Sequence, residues 1–307
     1  MIIKEKFYRI KKKIKKTYKA YFTVNGTYTS VLPDKYYLKR IYKKRLGKKL
    51  DLRHPKTFTE KLNWLKLYDR RPEYTVMVDK YAVREYVKEK IGEEYLVPLI
   101  GVWDRVEDID FDSLPGQFVL KCNHDNGVII CLDKSTFDIE KAKRDLNYHL
   151  NRNYYKKLRE WPYKNVPRKI ICEKYMESSI NNEITDYRFF CFNGKVKMIL
   201  MRILSPEGIK EAMYNEKWKY LNIQDAEVPM EKRPIEHPAF FEQMLDIAEK
   251  LGASQTFVRV DYNVWNNKIY FGELTFFPLS GAMEEFSPDE WNYTLGSWLK
   301  LPDKKIR

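Results

Sequence analysis

The chain has 307 residues, of which 44% are hydrophobic and 15% aromatic, so it can bury a sizeable core and is too apolar to be intrinsically disordered. It carries 57 Lys and Arg against 43 Asp and Glu, a formal net charge of +14. No apolar run reaches the roughly 18 residues that would span a bilayer, and the N-terminal sequence lacks the apolar core of a secretory signal, so we expect a globular protein of the cytoplasm.

The cysteines and histidines show none of the spacings that are typical of metal sites. The sequence contains no CxxC, HxxxH or HExxH motif, so a zinc enzyme is not expected. Each cysteine lies in an apolar run that is typical of a strand. We therefore expect reduced, buried thiols at Cys122, Cys131, Cys172 and Cys191.

The excess positive charge is concentrated in residues 1–20, which hold nine Lys and Arg residues and one acid, Glu5. Apolar side chains recur there at steps of three and four, so a helix would have one apolar and one basic face. Two interpretations stay open: the helix lies on the anionic inner face of the cytoplasmic membrane, or it packs on the body of the protein. No nucleic-acid-binding signature accompanies the charge, and no nucleic-acid partner is expected.

The first predicted elements after this arm are helical. Residues 21–50 form a connecting region, and the capping-box spacing of Thr57 and Glu60 predicts the start of a helix. A second helix is predicted over Asp79–Ile91, followed by a short strand within residues 94–104.

The rest of the chain alternates predicted hairpins with predicted helices. The hairpins join residues 117–123 to 127–133, 188–192 to 195–203 and 256–265 to 268–277, and a further strand covers 169–176. The helices cover residues 139–158, 238–252 and 289–299. This order favours an α+β fold with antiparallel sheets, and the absence of GxGxxG and GxxxxGK[ST] removes the usual signals of Rossmann and P-loop proteins.

Three polar groups interrupt apolar strands. Lys121 ends a buried strand ahead of the loop His124–Gly127, where a lysine either meets an anion such as phosphate or extends its ammonium group into solvent. Glu173 interrupts the strand at 169–176, whose end either binds a flat base through its backbone or is an ordinary polar strand end. Asp186 and Arg188 precede the apolar run that follows.

The third group lies in the last hairpin. Arg259 and Asp261 share one sheet face, as do Glu273 and Thr275, because strand side chains alternate. If the turn at Asn266–Asn267 pairs the two strands, we expect Asp261 and Glu273 opposite each other, with six residues counted from each of them to Asn267. Two such carboxylates repel unless a cation lies between them, and oxygen ligands suit Mg²⁺; the alternative is an exposed acidic face.

Taken in order, these segments resemble the ATP-grasp enzymes, and in particular the TupA-like branch named for teichuronopeptide biosynthesis. The resemblance covers about residues 50–300. The matching segments are FTEKLNWLKLYD (58–69), VDKYAVREYV (78–87), FVLKCNHDNG (118–127), ICEKYM (171–176), DYRFFCFNGKV (186–196) and FVRVDYNVWNNKIYFGELTFFPLSG (257–281).

The resemblance implies two α+β lobes with antiparallel sheets that grip ATP, together with ATP and Mg²⁺ as cofactors. It implies an arm and connector over 1–50, an N-terminal lobe over 51–116, a nucleotide-binding and catalytic region over 117–300 and a tail over 301–307. The implied nucleotide-binding residues are Lys121, Glu173, Lys174, Tyr175, Met176, Asp186 and Arg188. The implied metal ligands are Asp261, Glu273 and Thr275, the last in place of the asparagine of many ATP-grasp enzymes, and the implied catalytic residues are Lys121 and Arg259.

The function that the resemblance implies is an ATP-dependent carboxylate–amine ligase of cell-surface polysaccharide or teichuronopeptide synthesis. Its expected substrate is a carboxylate-bearing glycan or amino acid. Two alternatives stay open: a glycosyltransferase that uses a nucleotide sugar, and a catalytically dead scaffold on the membrane. Asp108 and Asp110 form an isolated DxD, which is predicted to lie in a loop.

Overall fold

The computed structural model describes residues 32–176, 184–205, 208–225, 228–231, 235–282 and 286–303. The basic segment 1–20 lies outside these ranges, so both interpretations of it stay predictions. The described residues fall into two compact units: a large unit within the ranges 1–70, 156–159 and 178–307, and a small unit within 71–155 and 160–177. The division by function at residues 51, 117 and 301 stays a prediction.

Helices and strands are numbered in chain order. The helices are α1 (Asp34–Leu46), α2 (Phe58–Tyr68), α3 (Glu73–Val78), α4 (Val83–Ile91), α5 (Ile139–Leu150), α6 (Tyr154–Leu158), α7 (Phe241–Gly252) and α8 (Glu290–Trp298). The strands are β1 (Leu99–Trp103), β2 (Phe118–Cys122), β3 (Val128–Cys131), β4 (Ile170–Lys174), β5 (Ile184–Phe192), β6 (Lys195–Ser205), β7 (Gly208–Tyr214), β8 (Gln224–Asp225), β9 (Phe257–Trp265), β10 (Lys268–Thr275) and β11 (Phe286–Ser287).

The small unit is built on a four-stranded antiparallel sheet in the order β1-β4-β2-β3. Alternate residues of β2 are buried in its core, where Leu120 packs with Leu146 of α5 and with Cys172 of β4. Val119 and Lys121 therefore lie on the sheet face away from this core, because strand side chains alternate. One face of the sheet therefore packs in the core, and the polar side chain of Lys121 lies on the other face.

The large unit is built on a five-stranded antiparallel sheet in the order β10-β9-β5-β6-β7. Helix α7 packs on one face, where the Phe189 ring lies 6.4 Å from that of Phe241 and 5.3 Å from that of Tyr262, measured between ring centroids. The residues of β5 and β9 that alternate with these, including Arg188 and Asp261, point to the other face. The expected α+β fold with antiparallel sheets is confirmed.

Local sequence signals predicted several element ends correctly. Helix α2 begins at the predicted capping box, in which the Glu60 backbone N–H donates to Thr57 Oγ1 and the Thr57 N–H donates to Glu60 Oε2. Asn193 and Gly194 have φ angles of 48° and 80°, as the predicted type I′ turn requires. These turns and caps depend only on neighbouring residues, which explains why they could be predicted.

Two helix predictions were wrong in extent. The helix predicted over residues 139–158 is two helices, α5 and α6, because α5 ends at Leu150 and the chain leaves the helical path at Asn151–Asn153. The helix predicted from Asp79 begins at Val83, and α3 precedes it. Asp79 instead stabilises the turn before α4, since its Oδ1 accepts from the backbone N–H groups of Tyr81 and Ala82.

All four cysteines are buried and free, as predicted. Burial raises the pKa of Cys122 and that of Cys172 to about 12. In the part of the chain that the structure describes, no helix is both long and apolar enough to cross a bilayer.

Candidate active site

The small unit brings Lys121 and Glu173 together on one face of its sheet. Lys121 lies opposite Ile171, two residues before Glu173, so the two charged side chains are diagonal neighbours. Lys121 Nζ donates to Glu173 Oε2 over 2.5 Å, and Nη1 of Arg84 lies 3.4 Å from Oε1 of the same carboxylate. The Lys121 side chain is 27% exposed. Its ammonium group is thus paired with an acid, while part of the side chain is exposed to solvent.

The loop after β2 is fixed first by Asn123, which is completely buried. Its Nδ2 donates to Asp79 Oδ1 at 2.8 Å and to the Pro167 carbonyl at 2.7 Å. Its Oδ1 accepts from the Lys169 backbone N–H at 2.8 Å. The end of β2, and with it Lys121, is therefore held in one backbone path.

A second anchor of the same loop is the carboxylate of Asp125, which has no exposed surface. Its Oδ2 lies 2.6 Å from His149 Nδ1 and accepts from Arg152 Nη1 at 2.9 Å, while its Oδ1 accepts from the Asn126 backbone N–H at 2.7 Å. Burial raises the pKa of Asp125, but the hydrogen bond to His149 and the charge of Arg152 together lower it below its usual value. Gly127 packs on the His149 ring, since a Cβ there would lie 2.3 Å from the ring Cγ.

The predicted adenine-binding segment, residues 173–176, covers the last two residues of β4 and the two that follow it. The Lys174 backbone N–H donates to the Pro98 carbonyl at 3.0 Å, while Tyr175 and Met176 are half-buried. The role of this segment stays a prediction.

In the large unit, the Arg259 side chain contacts the other three candidate residues of the β9–β10 hairpin. Its Nε and Nη2 atoms donate to both oxygens of Asp261, at 2.7 and 2.6 Å. Nη2 also donates to Thr275 Oγ1 at 3.2 Å and lies 3.6 Å from Glu273 Oε1, to which Thr275 Oγ1 donates at 3.1 Å. The structure thus brings Arg259, Asp261, Glu273 and Thr275 together, with the guanidinium between the two carboxylates.

Asp261 and Glu273 are opposite each other in the antiparallel register, as predicted. The turn lies at Asn266–Asn267, as predicted, but it alone would not bring the two carboxylates level. Near the turn, Lys268 lies opposite Trp265 and Phe271 opposite Tyr262, which centres the hairpin between Asn266 and Asn267. A one-residue irregularity between Phe271 and Glu273 then shifts the register and brings the two carboxylates level.

The charged face continues over three further strands. Arg188 of β5 lies opposite Asp261 and donates from Nη2 to Asp186 Oδ2 at 2.8 Å. Asp186 lies opposite Arg202 of β6, which in turn lies opposite Glu211 of β7.

The pair formed by Arg202 and Glu211 was missed in the sequence. Arg202 Nε donates to Glu211 Oε1 at 2.6 Å, and the Glu211 side chain is fully buried. Arg202 stands within the apolar run MILMRIL, and Glu211 directly precedes the apolar residues AMY, where an uncompensated charge is unfavourable. This is the signal that a search for paired charges could have found.

The two aspartates of this face differ in acidity. Burial raises the pKa of Asp261 to about 6, against the charge and hydrogen bond of Arg259, and the nearby Glu273 adds to the rise. Burial also raises the pKa of Asp186, but the charge and hydrogen bond of Arg188, with the charges of Arg202 and Arg259, lower it below its usual value. Asp261 therefore exchanges a proton near neutral pH more readily than Asp186 does.

The oxygens of Asp261, Glu273 and Thr275 suit a hard cation. Mg²⁺ at nucleotide sites is usually held by one or two carboxylates together with substrate phosphates and water. Among the described residues, no cluster of three or more His, Cys, Asp and Glu is arranged for a metal. Both Asp261 oxygens accept from Arg259, so a Mg²⁺ at this donor set needs further ligands such as phosphate, and the metal-ligand roles of Asp261, Glu273 and Thr275 stay predictions.

The DxD residues are engaged locally. Both oxygens of Asp108 accept from Arg105, at 2.6 and 3.1 Å, and Asp110 Oδ1 accepts from the Asp112 backbone N–H at 3.1 Å. Both carboxylates therefore have hydrogen-bond partners within the chain.

Comparisons with known proteins place the chain in a family. A family model described as TupA-like ATPgrasp matches residues 60–300, which confirms the resemblance and the ATP-grasp fold that it implied. None of the curated proteins compared with the chain matches it.

Solved structures resemble the chain distantly. One is D-alanine–D-alanine ligase from Bacillus anthracis complexed with ATP, with 19% identity, a TM-score of 0.38 and coverage of 65% of this chain and 53% of that chain. D-alanine–D-alanine ligase from Helicobacter pylori has 14% identity, a TM-score of 0.44 and coverage of 80% and 69%. L-amino acid ligase from Bacillus licheniformis has 13% identity, a TM-score of 0.38 and coverage of 64% and 42%. The chain spans about half the length of the first structures that it matches, and the family match alone carries the assignment.

Proposed function

The chain belongs to the TupA-like ATP-grasp family, and from this premise we propose that it is an ATP-dependent carboxylate–amine ligase. The observation that carries the proposal is the placement of Asp261 and Glu273 on one sheet face beside the buried guanidinium of Arg259. Phosphoryl transfer depends on neutralising and orienting the transferred group, and oxygen ligands for Mg²⁺ with a nearby cation are the parts that do so.

In the proposed reaction an oxygen of the substrate carboxylate attacks the γ-phosphorus of ATP. The bond from that phosphorus to the β–γ bridging oxygen breaks, and ADP leaves with the bonding electrons. An amine then attacks the carbonyl carbon of the acyl phosphate. The C–N bond forms, inorganic phosphate leaves, and the nitrogen releases a proton.

Each of the four candidate side chains of the β9–β10 hairpin has a proposed role. Asp261 and Glu273 hold Mg²⁺, which when bound neutralises phosphate charge. The Thr275 hydroxyl donates to Glu273 and can fix the orientation of that exposed carboxylate. Arg259 holds the Asp261 carboxylate through two hydrogen bonds and presents a positive charge beside the proposed phosphoryl position.

The remaining proposed roles concern the nucleotide. The ammonium group of Lys121 binds ATP phosphates, and the backbone of residues 173–176 binds adenine. Asp186 and Arg188 are proposed to contact the nucleotide, and their mutual ion pair keeps both charged. Glu173, which pairs with Lys121 in the structure, is proposed to hold the lysine ammonium group in place.

We propose a substrate carboxylate of a uronic acid or glutamate and an amino acid as the amine, in cell-surface polysaccharide or teichuronopeptide synthesis. The family name supports this setting. In such a setting residues 1–20 would bring the enzyme to lipid-linked glycans at the inner face of the cytoplasmic membrane.

The experiment that tests the proposed function measures ADP release from ATP against a panel of uronic acids and amino acids, with the mass of each product. A product heavier than the carboxylate substrate by one dehydrated amino acid, formed with one ADP, supports the ligase. Release of a nucleoside diphosphate from a nucleotide sugar without ATP would support the glycosyltransferase instead. Absence of Mg²⁺-dependent ATP binding would support the scaffold.

A further inference from the structure

The hairpin of β9 and β10 changes register in its middle. From the turn to Phe271, which lies opposite Tyr262, the pairing is that of a two-residue turn at Asn266–Asn267. From Glu273 onward the pairing is shifted by one residue, which leaves Gly272 without an opposite partner in the register. One strand thus has an extra residue, which is the definition of a β-bulge.

The bulge decides which side chains of β10 lie beside Asp261 and Arg259. In a regular continuation from Phe271, Gly272 would lie opposite Asp261, and Leu274 would point to the same face. Glu273 and Thr275 would then point to the opposite face, because a slip of one residue moves every side chain to the other side. The extra residue restores Glu273 opposite Asp261 and Thr275 opposite Arg259.

Glycine is required at this bulge by close approach. A Cβ atom at position 272 would lie 2.8 Å from the backbone oxygen of Asp261 and 3.3 Å from Nδ2 of Asn263. The first distance is too short for a carbon–oxygen contact, and the obstacle is backbone that cannot rotate away. A side chain at 272 therefore has to move either the Asp261 backbone or the bulge itself.

We propose that Gly272 is a positioning residue: it is the extra residue that the bulge accommodates, and the bulge thereby keeps Glu273 and Thr275 on the same face as Asp261, where they form the Mg²⁺-binding pair. This inference rests on the proposed function, since it takes Asp261 and Glu273 as the metal ligands. Gly272 itself has no side chain to contact the metal, and it acts through the orientation of Glu273.

The test compares Gly272→Ala with the matched control Gly116→Ala in the full-length protein. A Cβ atom added at Gly116 would meet no other heavy atom within 4 Å, and the Gly116 backbone is not left-handed, so its replacement removes a glycine without a clash. ATP binding is measured by calorimetry with and without Mg²⁺. We expect Gly272→Ala to weaken the Mg²⁺-dependent part of ATP binding by about 10-fold or more, as changes around metal ligands do, and Gly116→Ala to leave it unchanged.

A double-mutant cycle with Glu273→Gln separates positioning from general damage. If Gly272 acts through Glu273, Gly272→Ala adds little loss in the Glu273→Gln background. An undiminished loss in that background, or wild-type Mg²⁺ dependence in folded Gly272→Ala, overturns the inference. If Glu273→Gln alone leaves Mg²⁺-dependent binding intact, the proposed metal site fails, and that result is distinct from a failure confined to Gly272.

Deletion of Gly272 is the second variant in case Gly272→Ala does not fold. The deletion places Glu273 directly after Phe271, where regular pairing sets it opposite Asp261 without a bulge. We expect the folded deletion variant to keep Mg²⁺-dependent ATP binding within about 10-fold of the wild type. Complete loss in a folded deletion variant would overturn the inference.

Discussion

Lys121 and Glu173 form an ion pair of 2.5 Å on the face of the small sheet that points away from its core, with Arg84 near the other oxygen of the carboxylate. One carboxylate thus stands between two cations, so the group carries a net positive charge. An arriving phosphate meets an ammonium group that Glu173 has already oriented. The phosphate then competes for that group with this one carboxylate and not with two.

We expect Lys121→Ala to lower the rate of ATP turnover by about 100-fold or more, since single charge-stabilising groups at reacting centres contribute on that scale. Glu173 keeps Arg84 as a partner, so the fold should survive, which circular dichroism and urea unfolding check. Lys134→Ala, which removes a half-buried lysine of the same unit that donates to two backbone carbonyls, serves as the control. Near-normal turnover in Lys121→Ala would contradict the phosphate role.

We expect Glu273→Gln to lower ATP turnover by about 100-fold or more and to weaken Mg²⁺-dependent ATP binding. Glutamine keeps the shape of the side chain and loses the charge. Because Glu273 is 46% exposed, the free energy of unfolding of the metal-free protein should change little. Turnover at the wild-type rate with saturating Mg²⁺ would show that Glu273 is not a ligand.

Mg²⁺ binding should depend on pH through Asp261, whose pKa is raised to about 6. A proton and Mg²⁺ compete for this carboxylate, so the apparent Mg²⁺ affinity in the presence of ATP should fall as the pH is lowered through about 6, by up to about 10-fold per unit. Calorimetric titrations at a series of pH values measure this. An apparent affinity that stays constant across pH 6, once the protonation of ATP itself is subtracted, would contradict it.

The same raised pKa has the opposite sign for stability. In the metal-free protein the folded state holds the proton of Asp261 more tightly than the unfolded state does. The contribution of this group therefore falls as the pH rises from about 4 to about 6. Added Mg²⁺ and ATP should reverse that trend.

Asp125→Asn should destabilise the small unit, by about 1 to 3 kcal/mol, because Arg152 and His149 lose a buried carboxylate. Asp145→Asn, which breaks an exposed ion pair to Lys141, should change the free energy of unfolding by less than about 0.5 kcal/mol. The pKa of Asp125 is lowered, so its contribution is complete above about pH 4 and is lost as the pH falls through the folded-state value. The difference from wild type in urea unfolding should therefore shrink in acid, and a difference that grew would be inconsistent with a buried carboxylate.

Deleting residues 1–20 should abolish co-sedimentation with vesicles that contain anionic phospholipid, while turnover of a soluble substrate stays unchanged. The segment carries nine basic residues and one acid, and each basic residue near an anionic surface contributes about 1 kcal/mol. Binding by the full-length chain should weaken strongly as salt is raised, and vesicles of neutral lipid are the control. Failure of the full-length chain to bind at low salt would remove the membrane proposal, and unfolding of the deletion variant would assign the segment to core packing.

The parts of the fold that depend on neighbouring residues could be predicted from the sequence. The capping box of Thr57 and Glu60 and the Asn193–Gly194 turn are of this kind. The break between α5 and α6 was not predicted, because polar residues at 151–153 fit the surface of a continuous helix as well as they fit a loop.

The sequence predicted which residues of the last hairpin come together, but it did not predict the strand pairing that brings them together. Counting from Asn267 paired Asp261 with Glu273 correctly, yet the turn and the bulge at Gly272 produce that pairing together. Arg202 and Glu211 were missed because their pairing links β6 to β7, and β7 was not recognised as a strand. Register and strand order are set by contacts between distant segments, which residue spacing does not report.

The burial of all four cysteines bears on how this protein can be handled in the laboratory. A thiol reacts with maleimides as its thiolate, and the native thiols are both shielded from solvent and poorly ionised at neutral pH. A single cysteine placed on an exposed position such as Lys39 of α1 should therefore take up a fluorophore selectively. The wild-type background would then serve directly for fluorescence assays of nucleotide or vesicle binding, with no native cysteine replaced.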